Sequence, residues 1–132
     1  MRLTPHRRSV RRSALKPAPL DERFEGLEVR TLDGGLTVLV AGNRRSRMRG
    51  LAKPDAFPED HALLIEHCRS VHTMKMRFAL DLLWLHEDGT LVRRDADLKA
   101  RRLKTCWRAA AVLETNAGCG KRFERALEAA RN

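Results

Sequence analysis

Residues 68–85, CRSVHTMKMRFALDLLWL, constrain the fold of this chain more than any other stretch. They open on a thiol and an imidazole, Cys68 and His72, pass Met74, Met76 and Arg77, reach Asp81, and end in the apolar run Leu82, Leu83, Trp84 and Leu85. Successive residues of a strand point to opposite faces. A strand over residues 78–85 therefore carries apolar side chains on both faces and needs cover on each side. Residues 36–41 make the same demand, because Val38, Leu39 and Val40 are consecutive, and they read as a central strand.

The other elements fall around these two. Leu27, Val29 and Thr31 alternate with Glu28, Arg30 and Leu32 before the turn residues Asp33, Gly34 and Gly35, which predicts a hairpin with residues 36–41. Asn43 can cap a short helix that ends at Gly50. Pro54 and Pro58 mark a surface loop, since each lacks an amide donor. Residues 62–65 give a short buried strand, and residues 86–90, His-Glu-Asp-Gly-Thr, turn residues 78–85 back into a second hairpin. Near the end, Phe123, Ala126, Leu127 and Ala130 recur at helical spacing. Together these predict an α+β, β-dominated fold over residues 22–132. It is a compact antiparallel domain, barrel-like or sandwich-like, with a short helix at about 43–50 and a C-terminal amphipathic helix at about 121–130.

The block C-x-x-V-H-T-x-x-M-R-F-x-L-D, followed by an apolar strand and an acidic turn ending in Gly89, resembles the bacterial and archaeal "domain of unknown function 192" family. Residues 44–51, rich in arginine and ending in Gly50-Leu51, and the late Val112-Leu113-Glu114 resemble that family as well. The resemblance covers about residues 36–118 and implies a compact, β-dominated domain without carrying an activity. Family members often continue past the late glycine with a turn and a short strand, whereas this chain has Gly118-Cys119-Gly120 and then a helix.

Charge divides the chain in two. Residues 1–20 hold six of the 27 basic residues and none of the 17 acidic ones, so 21 basic residues face 17 acidic ones in the remainder. With three prolines and little apolar periodicity, residues 1–21 are expected to be a disordered basic tail. No apolar run approaches the roughly 18 residues of a membrane span, and no signal-peptide pattern follows the basic start. A soluble, cytoplasmic protein without membrane insertion is expected. The three cysteines, Cys68, Cys106 and Cys119, are odd in number, which argues for reduced thiols rather than a disulfide framework.

Cys68 and His72 invite a metal reading, with His61, His67, Cys106 and Cys119 as further ligands. In an extended segment, however, residues four apart lie about 13 Å apart, too far to hold one ion. The expectation is no metal and no cofactor, with Cys68 a buried thiol beside a hydrogen-bonded histidine. Asp81 is read as the only acid inside an apolar strand, where a carboxylate must be paired or protonated. If the chain is an enzyme, its catalytic residues are expected among His72, Arg77, Asp81 and Cys68, with the first three gathered into one polar cluster where the chain bends before residue 78. No phosphate-cradling loop or nucleophile elbow is present.

Three classes of function are therefore open. The first, which leads, is a non-catalytic binding or interaction module of unknown ligand. The second is a nucleic-acid binder using the basic tail together with Arg44, Arg45, Arg47, Arg49, Arg101, Arg102, Lys104 and Trp107. Against it, two Trp, four Phe and no Tyr leave few platforms for stacking bases. The third is a small hydrolase-like or metal-dependent enzyme centred on His72, Arg77 and Asp81. Partners and oligomeric state are open.

Overall fold

The computed structural model describes residues 24, 26–42, 57–74 and 76–131. The expected tail at 1–21, the short helix at 43–50 and the four arginines within it lie outside the described residues. Among the described residues there are eight strands and one helix: β1 (Glu28–Leu32), β2 (Leu36–Ala41), β3 (His61–Glu66), β4 (Ser70–His72), β5 (Leu80–Leu85), β6 (Leu91–Leu98), β7 (Leu103–Thr105), β8 (Ala111–Asn116) and α1 (Gly120–Arg131). Six strands form one sheet in the order β1-β2-β3-β8-β5-β6, and β4 pairs with β7 in a second, small sheet.

Both expected hairpins form. β1 pairs antiparallel with β2 from Leu32↔Leu36 to Glu28↔Val40, and the turn between them is closed by Gly34 and Gly35, whose φ values of 86° and 76° suit glycine. β5 and β6 form the second hairpin. β2 lies inside the sheet, as its apolar run requires, but it pairs with β3 in parallel, Thr37↔His61 to Ala41↔Ile65. The sheet is thus mixed rather than wholly antiparallel. A parallel neighbour needs a long connection, and residues 42–60 supply it. With β1 and β6 at its edges the large sheet is open, so the fold is sandwich-like and not a closed barrel.

All six residues of β5 are buried, and their alternation divides the core. Leu80, Leu82 and Trp84 join Leu39, Leu63, Ile65 and Val112 on one face, which is covered by Phe24, Phe57 and the small sheet through Val71 and Cys106. Leu83 and Leu85 join Leu36, Val38 and Leu113 on the other face, under Phe123 and Ala126 of α1. The helix uses most of the face its spacing predicts, although Ala130 is exposed.

Thr73, wholly buried, fastens the small sheet to the turn at residues 99–102. Its hydroxyl donates to the Lys99 carbonyl at 2.6 Å and accepts from the Arg102 amide at 2.8 Å, while its carbonyl accepts from the Arg101 amide at 2.9 Å. This turn has no regular ladder of its own, and Arg101 sits at φ 63°, in the left-handed region. Thr73→Val keeps the shape and removes the hydroxyl, leaving the part-buried Arg102 amide and Lys99 carbonyl without it. It is expected to lower stability by about 2 kcal/mol, measured by urea unfolding, with Thr73→Ser close to wild type. Equal stability of the Val variant and wild type would remove the hydroxyl from this role.

Candidate functional site

The candidate site is built around Asp81, the acid at the start of β5. By alternation it shares the helix side of the sheet with Leu83 and Leu85, and it is 4% exposed. Its Oδ1 accepts from the Asp97 amide at 2.8 Å, and its Oδ2 accepts from the Gly118 and Gly120 amides at 3.0 and 2.9 Å. Two irregular pieces of backbone supply these donors. In β6 the register slips between Leu80↔Leu98 and Leu82↔Asp95, placing one extra residue in that strand, and Asp97 takes φ 53°. Such a bulge frees an amide from the ladder and re-aims it. At the other side, the turn after β8 passes through Gly118 at φ 93° into α1.

The first amides of a helix have no partner within it, and negative charge there is favourable. The first turn of α1 holds no acid of its own. Asp81 serves instead, reaching from a distant strand. The fit is close: a Cβ built on Gly120 would lie 2.8 Å from Asp81 Oδ2 and 3.0 Å from Asp81 Cβ, so this position accepts only glycine without movement.

A cleft of about 430 Å³ opens beside the carboxylate, lined by Asp81, Arg94, Ala96, Asp97, Ala117, Gly118 and Lys121. Arg94 is paired with Glu124 of α1 at 2.7 Å. A general acid or base must reach the reacting atom, whereas Asp81 barely reaches the cleft and both its oxygens already hold main-chain amides.

The four catalytic candidates are not gathered at one point. His72 is an exposed residue of β4, opposite Leu103 of β7, and the small sheet covers the face of the large sheet away from Asp81. Arg77 is exposed in the bend before β5. Cys68 is half-buried, and its thiol donates to the Ser70 carbonyl at 3.3 Å. The expected grouping of His72 and Arg77 about Asp81 gives way to one in which every hydrogen bond described for the carboxylate comes from backbone. Asp81 is also not the only acid within an apolar strand: Glu114 of β8 is 3% exposed, opposite Leu63 and Leu82.

The three cysteines are free. Burial, with the nearby Glu59 and Asp81 carboxylates, pushes the Cys119 thiol up from its ordinary value and keeps it a neutral, weak nucleophile. Among the described residues no three His, Cys, Asp or Glu side chains stand close enough to share a metal ion. No described helix is long and apolar enough to cross a membrane.

Of the expected binding residues, Arg101, Arg102 and Trp107 are exposed and Lys104 is half-buried. They stand on β7 and its flanking turns. Sequence reasoning missed Thr73, Asp97, Gly118 and Gly120. Gly118 and Gly120, so close together just before a helix, were the available signal for a tight approach.

The family model for DUF192 (Uncharacterized ACR) matches residues 27–126. No curated protein matches. Among solved structures, the chain is similar to a candidate transcription regulator from Sinorhizobium meliloti 1021, with 28% identity, a TM-score of 0.59, and coverage of 67% of this chain and 74% of that one. It also shares its fold with a protein of unknown function from Novosphingobium aromaticivorans DSM 12444, with 13% identity, a TM-score of 0.58, and coverage of 80% of this chain and 92% of that one.

Proposed function

This chain belongs to the DUF192 family of uncharacterised proteins, and from that premise we propose that it is a non-catalytic binding domain whose ligand docks on the outer face of the β4–β7 sheet. The observation that carries the reading is exposure. Leu103, Met74 and Trp107 are 68%, 59% and 78% exposed and all lie on this sheet or its flanking turns. Single exposed apolar residues are ordinary, but a group of them on one small face marks a contact surface. The acid a catalytic reading would need is, by contrast, tied into the fold by backbone amides. A binding role also agrees with the candidate regulatory role of the Sinorhizobium relative. The three free thiols suit a reducing cytoplasm, and residues 1–21 are read as a basic extension outside the domain.

A thermal-shift screen of the full chain against nucleotides, oligonucleotides, acidic peptides and small metabolites tests the proposal. Any compound that raises the unfolding temperature is expected to lose that effect in a Leu103→Ala/Trp107→Ala variant. Stabilisation that survives this variant and disappears instead when Lys121→Ala alters the cleft beside Asp81 would move the site there and revive the enzymatic reading.

A further inference from the structure

The antiparallel pairing of β4 with β7 brings together two acid-free, cation-rich segments. Residues 67–77 contain the described cations Arg69 and Arg77 with His67 and His72, residues 99–108 contain Lys99, Arg101, Arg102, Lys104 and Arg108, and neither segment holds an Asp or Glu. Pairing extends beyond the strands themselves, from the Thr73 amide on the Arg102 carbonyl to the Cys106 amide on the Arg69 carbonyl. Directly opposed residues share a face. Val71 is buried in the core opposite Lys104, so His72, Leu103, Ser70 and Thr105 occupy the outer face. Of the acids bordering this side, Asp95 is held by Arg93 at 2.9 Å and by the Trp84 indole at 2.8 Å, while Glu87 and Asp88 line a cleft beside Arg69 and Arg108 at the far end from Arg101 and Arg102.

Resting on the binding role proposed above, we infer that the ligand of this face is a single-stranded nucleic acid, with cations of the two acid-free segments on its phosphates and Trp107 against a base. The sign of the charge requires a polyanion and opposes pairing with a second copy of the same face. Five of the seven cations among the described residues of these segments are arginines, whose planar guanidinium grips phosphate in two-point contacts and stacks on bases. Between the apolar side chains stand the Ser70 and Thr105 hydroxyls, 3.2 Å apart, and the His72 imidazole, groups that hydrogen-bond to bases and sugars. An anionic lipid surface would be drawn by the cations alone, and competition by anionic vesicles separates it from a nucleic acid. One exposed indole on a narrow sheet provides a stacking platform for an unpaired base.

Fluorescence anisotropy of the full chain with labelled oligo(dT), across a salt series, tests this, with the same strand in duplex, polyglutamate, and phosphatidylglycerol vesicles as competitors. Trp107→Ala is expected to weaken oligo(dT) binding roughly ten-fold. Arg101→Ala/Arg102→Ala is expected to lower the salt slope by about 1.4, two phosphate contacts at roughly 0.7 each. Both variants change exposed side chains, and circular dichroism checks that they fold. Affinity unchanged in both variants, or preference for duplex, overturns the proposal. Competition by polyglutamate or vesicles that depends on Leu103 and Trp107 also overturns it, while leaving the face as the binding surface.

Discussion

Asp81→Ala is expected to destabilise the chain by about 3–4 kcal/mol, a large part of the roughly 5–15 kcal/mol that holds a small domain together. The substitution strands three amide donors at once, those of Asp97, Gly118 and Gly120. A buried donor without a partner costs about 1–3 kcal/mol. Water entering from the adjoining cleft can serve Asp97 and Gly118, whose residues are exposed, but Gly120 is buried. The total therefore falls below the sum of three full penalties. Asp81→Asn keeps one acceptor oxygen and turns a donor toward the other amides, so about half the loss is expected. Urea unfolding measures both. A carboxylate serving as a reactive group predicts the reverse, unchanged or raised stability on substitution, because functional sites often carry strain that mutation releases.

Gly120→Ala is the second large effect. In the first turn of an ordinary helix, alanine in place of glycine is favourable by up to about 1 kcal/mol. Here the added methyl would lie 2.8 Å from Asp81 Oδ2 and 3.0 Å from its Cβ, and Asp81 is fixed by its strand and cannot swing away. Overpacking of this kind costs about 1–3 kcal/mol, so a net loss of about 2 kcal/mol is expected. The double variant separates the causes. With Asp81→Ala already made, the carboxylate at 2.8 Å is gone and only the 3.0 Å approach to Cβ remains, so Gly120→Ala should lose most of its cost, a coupling of about 1–2 kcal/mol. Additive losses in the double variant would mean that the glycine is needed for another reason.

Much of the fold was legible because burial leaves a pattern. Leu82 to Leu85 demanded cover on both faces, Gly34-Gly35 marked the first hairpin, and Phe123, Ala126 and Leu127 drew the buried side of the closing helix. The parallel pairing of β2 with β3 was not legible in the strands, since a strand buried on both faces reads alike in either orientation. The long connection between them was the only clue. Asp81 was correctly singled out as a buried acid needing compensation, but partners were sought among side chains. Its partners are main-chain amides, which no residue type announces, and one of them depends on a bulge in β6 that leaves no mark in the hydrophobic pattern. His72 was placed beside Asp81 by nearness in sequence, whereas the separate pairing of β4 with β7 carries it to the other side of the large sheet. Thr73, beside the more conspicuous histidine, proved to be the residue of that pair buried in the fold.

Amide hydrogen exchange read residue by residue separates a structural carboxylate from a reactive one. Asp97 and Gly118 are exposed residues in irregular backbone, so protection of their amides requires the hydrogen bonds to Asp81. In wild-type protein the amides of Asp97, Gly118 and Gly120 are expected to exchange as slowly as those of the neighbouring strand β5, and in Asp81→Ala to lose protection together while the β1–β2 hairpin keeps its own. Loop-like exchange of these three amides in the wild-type chain would contradict the structural role of Asp81 and return it to the list of groups free to react.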